Sequence, residues 1–220
     1  TSAGGTPMPE ALYDIQAATL GPFAVNAYVI AERGAAACWV VDPGDAALAD
    51  RLRRQGRAVE RILLTHGHGD HIAGAAALKK AFPGAVFTVP AGDEAMLDDP
   101  RANVSALFGL PITAPPADQL IRPGDMLTLG GGTWAVLDTS GHTPGGISLY
   151  CAAAGVVLTG DALFAQGIGR TDFPGGDTDR LLAAIRNNLF TLPDDTAVLP
   201  GHGPQTTIGD EKRGNPFLQA

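Results

Sequence analysis

Cysteine is scarce in this chain, which limits the covalent and metal chemistry that could organise the fold. Of its 220 residues only two are cysteines, Cys38 and Cys151, each within an apolar, strand-like stretch. We predict that both are buried small hydrophobic residues, with a disulfide or a metal role as alternatives. A chain of this length can bury a core without disulfides, and the composition fits a reducing cytoplasm.

Basic residues and long apolar runs are also scarce. Lys and Arg number 15 against 23 Asp and Glu, for a formal net charge of −8. No run of Lys or Arg forms a basic stripe, so a nucleic-acid partner is not expected. No apolar run approaches the roughly 20 residues of a membrane helix, so no membrane partner is expected. The first residues lack a basic segment followed by an apolar one, so we expect no secretory signal and a cytoplasmic location.

The length predicts one domain over residues 1–220. Because the chain begins with Thr1, two hypotheses arise for its start. Met8 is the native start, with residues 1–7 as an added segment, or a longer precursor is processed. The sequence makes no prediction of the oligomeric state.

Strand-like and helix-like patterns alternate in both halves of the chain. We predict a hairpin over residues 23–42, helices over 46–55, 70–82 and 177–190, and strands near 61–65, 85–89, 126–129, 133–139, 147–151, 155–159 and 196–199. Residues 97–120 are rich in Pro and Ala, and we predict a loop or lid there. This mixed order predicts an α/β protein with a two-sheet core and outer helices.

The chain has only five histidines, and every one of them lies in a Gly-rich turn after a predicted strand. The stretch "LTHGHGDHIAG" contains His66, His68, Asp70 and His71. Residues i and i+2 of an extended chain point the same way, so His66 and His68 can bind one ion. Asp70 and His71 lie at a helix start and project differently, so they can serve a second ion. Carboxylate and imidazole together form a familiar ligand set for zinc and a tolerable one for iron or manganese.

Three further candidates follow later strands. His142 lies in "TSGHTPGG", Asp161 in "VVLTGDALF" and His202 in "LPGHGP". Taken alone, each histidine would be interpreted as a packed residue and Asp161 as a turn or cap residue. Together with the first cluster they predict a metal centre, because catalytic groups collect in loops at strand ends.

In this order, "THGHGDH", "GH", "GD" and "GH" closely resemble the signature of the metallo-β-lactamase superfamily. The resemblance implies an αββα sandwich of two mixed β-sheets with outer helices, and a site at one edge of the sheets. It implies that His66, His68 and His142 hold a first metal, that Asp70, His71 and His202 hold a second, and that Asp161 bridges both. Asp70 and Asp161 are the predicted catalytic residues. Asp42, in "VVDPGD", matches a superfamily aspartate that supports a ligand from behind the site.

Two later stretches resemble one branch of that superfamily. "GIGRTDFPGGD", residues Gly167–Asp177, is similar to glyoxalase II enzymes and persulfide dioxygenases. The segment from Thr191 to "NPFL" resembles small bacterial glyoxalase II-like proteins, in which such a tail packs on the body. Arg170 matches a basic residue that meets the thiol conjugate, so it is the predicted substrate-binding residue, with an ordinary surface arginine as the alternative. The chain ends soon after "NPFL", so we expect no C-terminal helical glutathione-binding domain. We also expect weaker binding of glutathione than in full-length glyoxalase II enzymes, which carry that domain.

The resemblance implies a binuclear metallohydrolase. Two divalent ions, zinc first and iron or manganese as alternatives, would supply a metal-bridging hydroxide and a Lewis acid for a carbonyl oxygen. Two Zn²⁺ would leave the pocket positive despite the acidic chain, which favours a small anionic thioester such as S-D-lactoylglutathione.

Several other activities use the same ligands. A persulfide dioxygenase would bind one iron through His66, His142 and Asp161, and a lactonase would open a cyclic ester. A true β-lactamase is less favoured, because those enzymes generally lack an aspartate at the position of Asp161. A nuclease would need a basic surface, and a purely structural metal site needs fewer than seven ligands.

Overall fold

A computed structural model describes residues 12–219, and within them the chain forms two mixed six-stranded sheets. The elements of the first half are β1 (Tyr13–Leu20), β2 (Val25–Glu32), β3 (Ala37–Val41), α1 (Ala47–Arg54), β4 (Ala58–Leu63), α2 (Gly69–Ile72), α3 (Ala75–Ala81), β5 (Val86–Pro90) and β6 (Gln119–Ile121). These strands make the first sheet in the order β1-β2-β3-β4-β5-β6. Its β1–β3 part is antiparallel, whereas β3–β6 are parallel.

The second half forms the other sheet. Its elements are β7 (Met126–Leu129), β8 (Gly132–Asp138), β9 (Ile147–Cys151), β10 (Val156–Gly160), β11 (Leu163–Phe164), β12 (Gly167–Ile168), α4 (Thr178–Ala184), β13 (Ala197–Pro200), β14 (Thr206–Thr207) and α5 (Ile208–Gly214). The order in the sheet is β14-β13-β10-β9-β8-β7, and only the β10–β13 pair is parallel. The strands β11 and β12 form a separate small hairpin.

Three apolar clusters define four layers. One cluster packs α1 and α3 on the outer face of the first sheet, through residues such as Leu48, Leu52 and Leu78. A second lies between the sheets and includes Trp39 and Trp134. A third packs α4 and α5 on the outer face of the second sheet. The predicted αββα sandwich is therefore confirmed, and burial of both faces of each sheet explains the apolar strands.

The predicted helix over residues 70–82 is wrong in one respect, because the structure has two helices there. Between α2 and α3, the backbone N–H of Gly74 donates to the carbonyl of Pro43 at 2.6 Å. A Cβ at Gly74 would lie 2.5 Å from the carbonyl oxygen of Asp45, so only glycine allows this approach. The turn of residues 43–45 therefore breaks the helix directly behind the histidine motif.

Other differences concern polar or short elements. The strand β1 and the helix α5 were not predicted, because β1 is largely exposed, the sequence of α5 is largely polar, and each gains its place by pairing or packing. The predicted loop of residues 97–120 is wrong at its end, where β6 begins at Gln119. Cys38 and Cys151 are buried and free, as predicted.

The hypothesis about residues 1–7 lies outside the described residues. Among residues 12–219, no helix has the length and apolar character to span a membrane. One domain over residues 1–220 stays a prediction.

Candidate metal centre

The candidate ligands gather at one edge of the sandwich because the strands that precede them end there. The strands β8, β10 and β13 run in the same direction through the second sheet, so the loops after them share an edge. His142, Asp161 and His202 lie in these loops. The turn after β4 in the first sheet brings His66–His71 against them.

His66, His68 and His142 form a buried group whose ligand atoms all lie within 4.8 Å of one another. Their Nε2 atoms are buried, and none has a hydrogen-bond partner among the described residues. Burial, together with the neighbouring histidines, lowers the pKa of His66 well below its usual value. Burial likewise lowers the pKa of His68 to about 3. Neutral imidazoles with unpartnered nitrogens directed at a common point are the donor set that a divalent cation requires.

Asp70, His71 and His202 form a second group whose ligand atoms lie within 4.8 Å of one another, in which only His71 is buried. The Nε2 atom of His202 lies 3.3 Å from Nε2 of His71 and 3.3 Å from Oδ2 of Asp70. Burial alone would lower the pKa of His71, but three surrounding carboxylates raise it well above its usual value. That raised pKa reflects local negative charge that a bound cation would neutralise.

Asp161 lies between the two groups. Its Oδ1 is 3.4 Å from Nε2 of His71, and its Oδ2 is 3.6 Å from Nε2 of His142 and 3.5 Å from Nε2 of His202. Burial alone would raise the pKa of Asp161, but the adjacent histidines hold it below its usual range, so the group is a carboxylate. The two oxygens of Asp161 thus lie within 3.6 Å of candidate ligands from both groups, and its bridging role stays a prediction.

Asp42 contacts the second group from behind. Its Oδ1 accepts a hydrogen bond from the backbone N–H of Thr65 and its Oδ2 from the Thr65 hydroxyl, both at 2.7 Å. Oδ2 also lies 3.1 Å from Nδ1 of His71, outside hydrogen-bond geometry. The Thr65 hydroxyl lies 3.0 Å from Nδ1 of His66, so Thr65, which sequence reasoning missed, links Asp42 to a ligand of the other group.

Asp93 is a second residue that sequence reasoning missed. It is fully buried, and its carboxylate accepts hydrogen bonds from the backbone N–H of Gly67 at 2.9 Å, the Thr143 hydroxyl at 2.7 Å and the backbone N–H of Gly145 at 2.6 Å. Burial raises the pKa of Asp93, although these hydrogen bonds partly offset the rise. Asp93 therefore ties the turn that bears His66 and His68 to the loop that bears His142.

The structure places Arg170 at the rim of the site, and its backbone has a role of its own. The Arg170 carbonyl lies 2.7 Å from Nδ1 of His142, and because a carbonyl can only accept, it directs the Nε2 lone pair of His142 into the site. The Arg170 side chain is 55 % exposed. Its Nε and Nη2 each donate to Asp172 at 2.7 Å, and the guanidinium lies 3.9 Å above the Phe173 ring.

Comparison with known families decides which fold family this geometry represents. The sequence profile described as "Metallo-beta-lactamase superfamily" matches residues 20–202. The chain belongs to the metallo-beta-lactamase superfamily. Membership and the ligand set together support a metal-dependent hydrolase.

Two relatives within the superfamily are similar over most of their length. The probable metallo-hydrolase YqgX of Bacillus subtilis is 38 % identical over 202 residues, covering 90 % of this chain and 94 % of the relative. Hydroxyacylglutathione hydrolase GloC of Haemophilus influenzae is 40 % identical over 185 residues, covering 82 % and 87 %. The predicted likeness to the glyoxalase II-like branch is thus confirmed.

Three solved superfamily structures match the fold. BLEG-1, described as a B3 metallo-beta-lactamase, has a TM-score of 0.89 and 42 % identity, covering 94 % of this chain and 100 % of its own. TTHA1623 in a di-iron-bound form has a TM-score of 0.82 and 34 % identity, covering 92 % and 100 %. ETHE1 from Myxococcus xanthus has a TM-score of 0.75 and 29 % identity, covering 92 % and 83 %.

The superfamily site opens into a cleft of about 400 Å³. Five of the candidate ligands lie on its floor: His68, Asp70, His142, Asp161 and His202. Its walls are mainly apolar and include four phenylalanines. The arrangement places a polar, metal-binding floor at the base of an apolar cleft, which is the usual build of a small-molecule site.

Proposed function

We propose that this chain is a binuclear metallohydrolase of the glyoxalase II type. It would cleave a small anionic thioester, such as S-D-lactoylglutathione, with two divalent ions, zinc first and iron or manganese as alternatives. The observation that carries the proposal is the position of Asp161, whose two oxygens contact ligands of both groups. The 40 % identity to hydroxyacylglutathione hydrolase GloC supports the thioester.

The chain's own residues account for the binding and orientation that this reaction needs. His66, His68 and His142 would hold the first ion, Asp70, His71 and His202 the second, and Asp161 both. Bound ions supply Lewis-acid activation of the carbonyl oxygen and of the attacking water. Asp42, Asp93 and the Arg170 carbonyl keep the ligand side chains in place, so little reorganisation accompanies the reaction.

A second candidate is the mononuclear-iron persulfide dioxygenase reaction. TTHA1623, a structure 34 % identical to this chain, is in a di-iron-bound form, which supports iron as the metal of such a site but two ions and not one. One iron held by His66, His142 and Asp161 would suffice for that reaction, and Asp70, His71 and His202 would then be unnecessary as ligands.

The metal content of protein purified without added metal, measured with a substrate panel, tests the two candidates. We expect two ions per chain and a loss of thioester absorbance from S-D-lactoylglutathione that scales with protein and stops with chelator. Glutathione persulfide with oxygen uptake, a cyclic lactone and a β-lactam complete the panel. One iron per chain with oxygen uptake would replace the proposal with the dioxygenase, and turnover of only the lactone or the β-lactam would contradict the thioester.

We also propose a cytoplasmic location, with no nucleic-acid and no membrane partner. The acidic composition and the absence of a basic stripe support this view. Fractionation of cells that express the chain checks the location.

A further inference from the structure

The walls of the cleft carry a row of aromatic rings that begins next to a metal ligand. The Phe173 ring lies 5.9 Å from the His68 ring, Phe108 lies 6.4 Å from Phe173, and Phe23 lies 4.9 Å from Phe108, each distance measured between ring centroids. Val104, Leu110 and Ile112 line the same cleft. We call these six residues the apolar wall.

The polar side chains beside the apolar wall already have partners. The Asn103 amide donates to the carbonyls of Met96 and Ile112, and its oxygen accepts from the N–H and hydroxyl of Ser105. The Ser105 hydroxyl oxygen in turn accepts from the N–H of Ile112. Arg170 is the one Lys or Arg among the described residues that line the cleft, and its side chain donates two hydrogen bonds to Asp172. The Arg170 guanidinium covers one face of the Phe173 ring, and the rest of the wall offers a ligand carbon surface. A hydroxyl placed on that carbon surface would lose its hydration without a new partner.

Part of the apolar wall remains exposed to solvent. Phe108 is 49 % exposed and Leu110 is 48 % exposed, beside a floor of polar ligands. Covering such surface with apolar atoms is favourable. The cleft volume of about 400 Å³ matches a small molecule, so the occupant is part of a substrate and not a protein segment.

We propose that the apolar wall binds the acyl side of the substrate, and that the enzyme prefers thioesters of unbranched apolar acyl groups of about four to eight carbons over hydroxylated ones such as lactoyl. This inference rests on the proposed thioester hydrolysis and deepens it. Phe173 lies next to the candidate ligand His68. When the thioester carbonyl of the substrate lies at the metal-binding residues, the first carbon atoms of its acyl chain can therefore contact the apolar wall. The acyl side is selected because glutathione is polar throughout and gains little from carbon surface.

A chain-length series tests the inference. Acetyl, butanoyl, hexanoyl and octanoyl thioesters of glutathione and of N-acetylcysteamine vary the acyl group and the thiol separately. We expect kcat/KM to rise about twofold per methylene with either thiol, half of the roughly fourfold that complete burial would give. Lactoyl thioesters should have a lower kcat/KM than butanoyl thioesters. Octanoate should also bind the metal-loaded protein more tightly than acetate in calorimetry.

Variants locate the effect. Phe108→Ala should flatten the chain-length dependence. Phe217→Ala, which removes a ring of similar exposure (57 %) outside the cleft, should leave the dependence as in the parent. Equal loss in both variants would contradict the role of the wall.

The outcomes separate this inference from the proposed function. Thioester hydrolysis with a flat or falling acyl dependence, or a dependence on the thiol alone, overturns the inference and leaves the proposed function standing. If no thioester reacts, p-nitrophenyl esters of the same acyl series decide. If kcat/KM rises with acyl length and Phe108→Ala flattens that rise, the apolar wall binds the acyl group but the substrate is not a thioester. If kcat/KM does not change with acyl length, both the inference and the proposed thioester hydrolysis are overturned.

Discussion

The floor and the walls of the cleft are built in different ways. At and beneath the floor, the candidate ligands His66, His68 and His71 are buried, and each lies against a residue that restrains it or against another candidate ligand. The walls belong to the β1–β2 turn, the irregular segment before β6, the small β11–β12 hairpin and the loop after it, and their rings are partly exposed. We infer from this difference that the metal-binding side chains need restraint from several directions. The cleft walls, which would select the substrate, are held by fewer hydrogen bonds.

Single buried polar residues hold the wall segments. Asn103 closes the irregular segment: its amide donates to the carbonyls of Met96 and Ile112, and its oxygen accepts from the N–H of Ser105. Glu211 holds the hairpin, because its Oε2 accepts from the N–H of Gln166 at 2.9 Å. Disturbing a floor residue should therefore abolish turnover, and disturbing a wall support should change substrate binding.

The largest effect is expected for Asp161→Asn on the floor. The change keeps the size of the side chain but removes one negative charge between the two ions, which repel at the roughly 3.5–4 Å spacing of two-metal sites. We expect the fold to persist, the second ion to be lost in part, and hydrolysis to fall by at least about 100-fold, the upper range for outer-layer partners. Metal analysis, circular dichroism and turnover measure this, and a variant with full metal and near-parent turnover would make Asp161 a turn residue.

Asp93→Asn should give the next largest effect. An amide cannot accept from Gly67, Thr143 and Gly145 together, and its NH₂ group would face a donor. We expect a loss of roughly 3 kcal/mol in the free energy of unfolding and a metal affinity about 10- to 100-fold weaker. Glu94→Gln, an exposed neighbour with the same change of charge, is the control in urea unfolding and metal titration. Equal behaviour of the two variants would remove Asp93 from the site.

A smaller effect is expected for Glu211→Gln, behind the β11–β12 hairpin that lines the cleft. Glu211 is fully buried and accepts hydrogen bonds from Gln166, Asn215 and Thr206. Loss of the charge should cost about 1–2 kcal/mol of stability and loosen the hairpin that carries Phe164 and Ile168. We expect KM to rise several-fold while kcat changes less. Glu60→Gln, on the exposed side of β4, is the control, and a selective loss of kcat would contradict the comparison.

The smallest effect is expected for Arg170 and Asp172, the exposed ion pair at the rim of the cleft. Arg170→Ala removes the side chain but keeps the backbone carbonyl that meets His142, so KM for anionic thioesters should rise about three- to tenfold with kcat nearly unchanged. Asp172→Ala should lower KM instead, because it releases the charge of Arg170. Steady-state kinetics of both variants check this, and parental kinetics in both would make Arg170 an ordinary surface arginine.

Local sequence patterns predicted the histidine motif and the layered fold. The alternate histidines in "THGHGDH" point the same way wherever the chain is extended. A Gly-rich turn after a strand places the His or Asp that it contains at the edge of the sheet. The apolar strands likewise predicted two sheets with helices outside. These features depend on neighbours in sequence, so the sequence by itself determined them.

Contacts between distant segments were decided only by the tertiary structure. Asp93 stands beside Glu94, an acid of the same charge, and only the approach of residues 50 positions later makes Asp93 the buried one. The apolar wall joins Phe23, Phe108 and Phe173, which no local pattern brings together. Gly74 ends a helix because of the Pro43 carbonyl, outside the helix itself. The candidate ligands can thus be predicted from local sequence, whereas the contacts that restrain them and the proposed substrate surface arise from long-range packing.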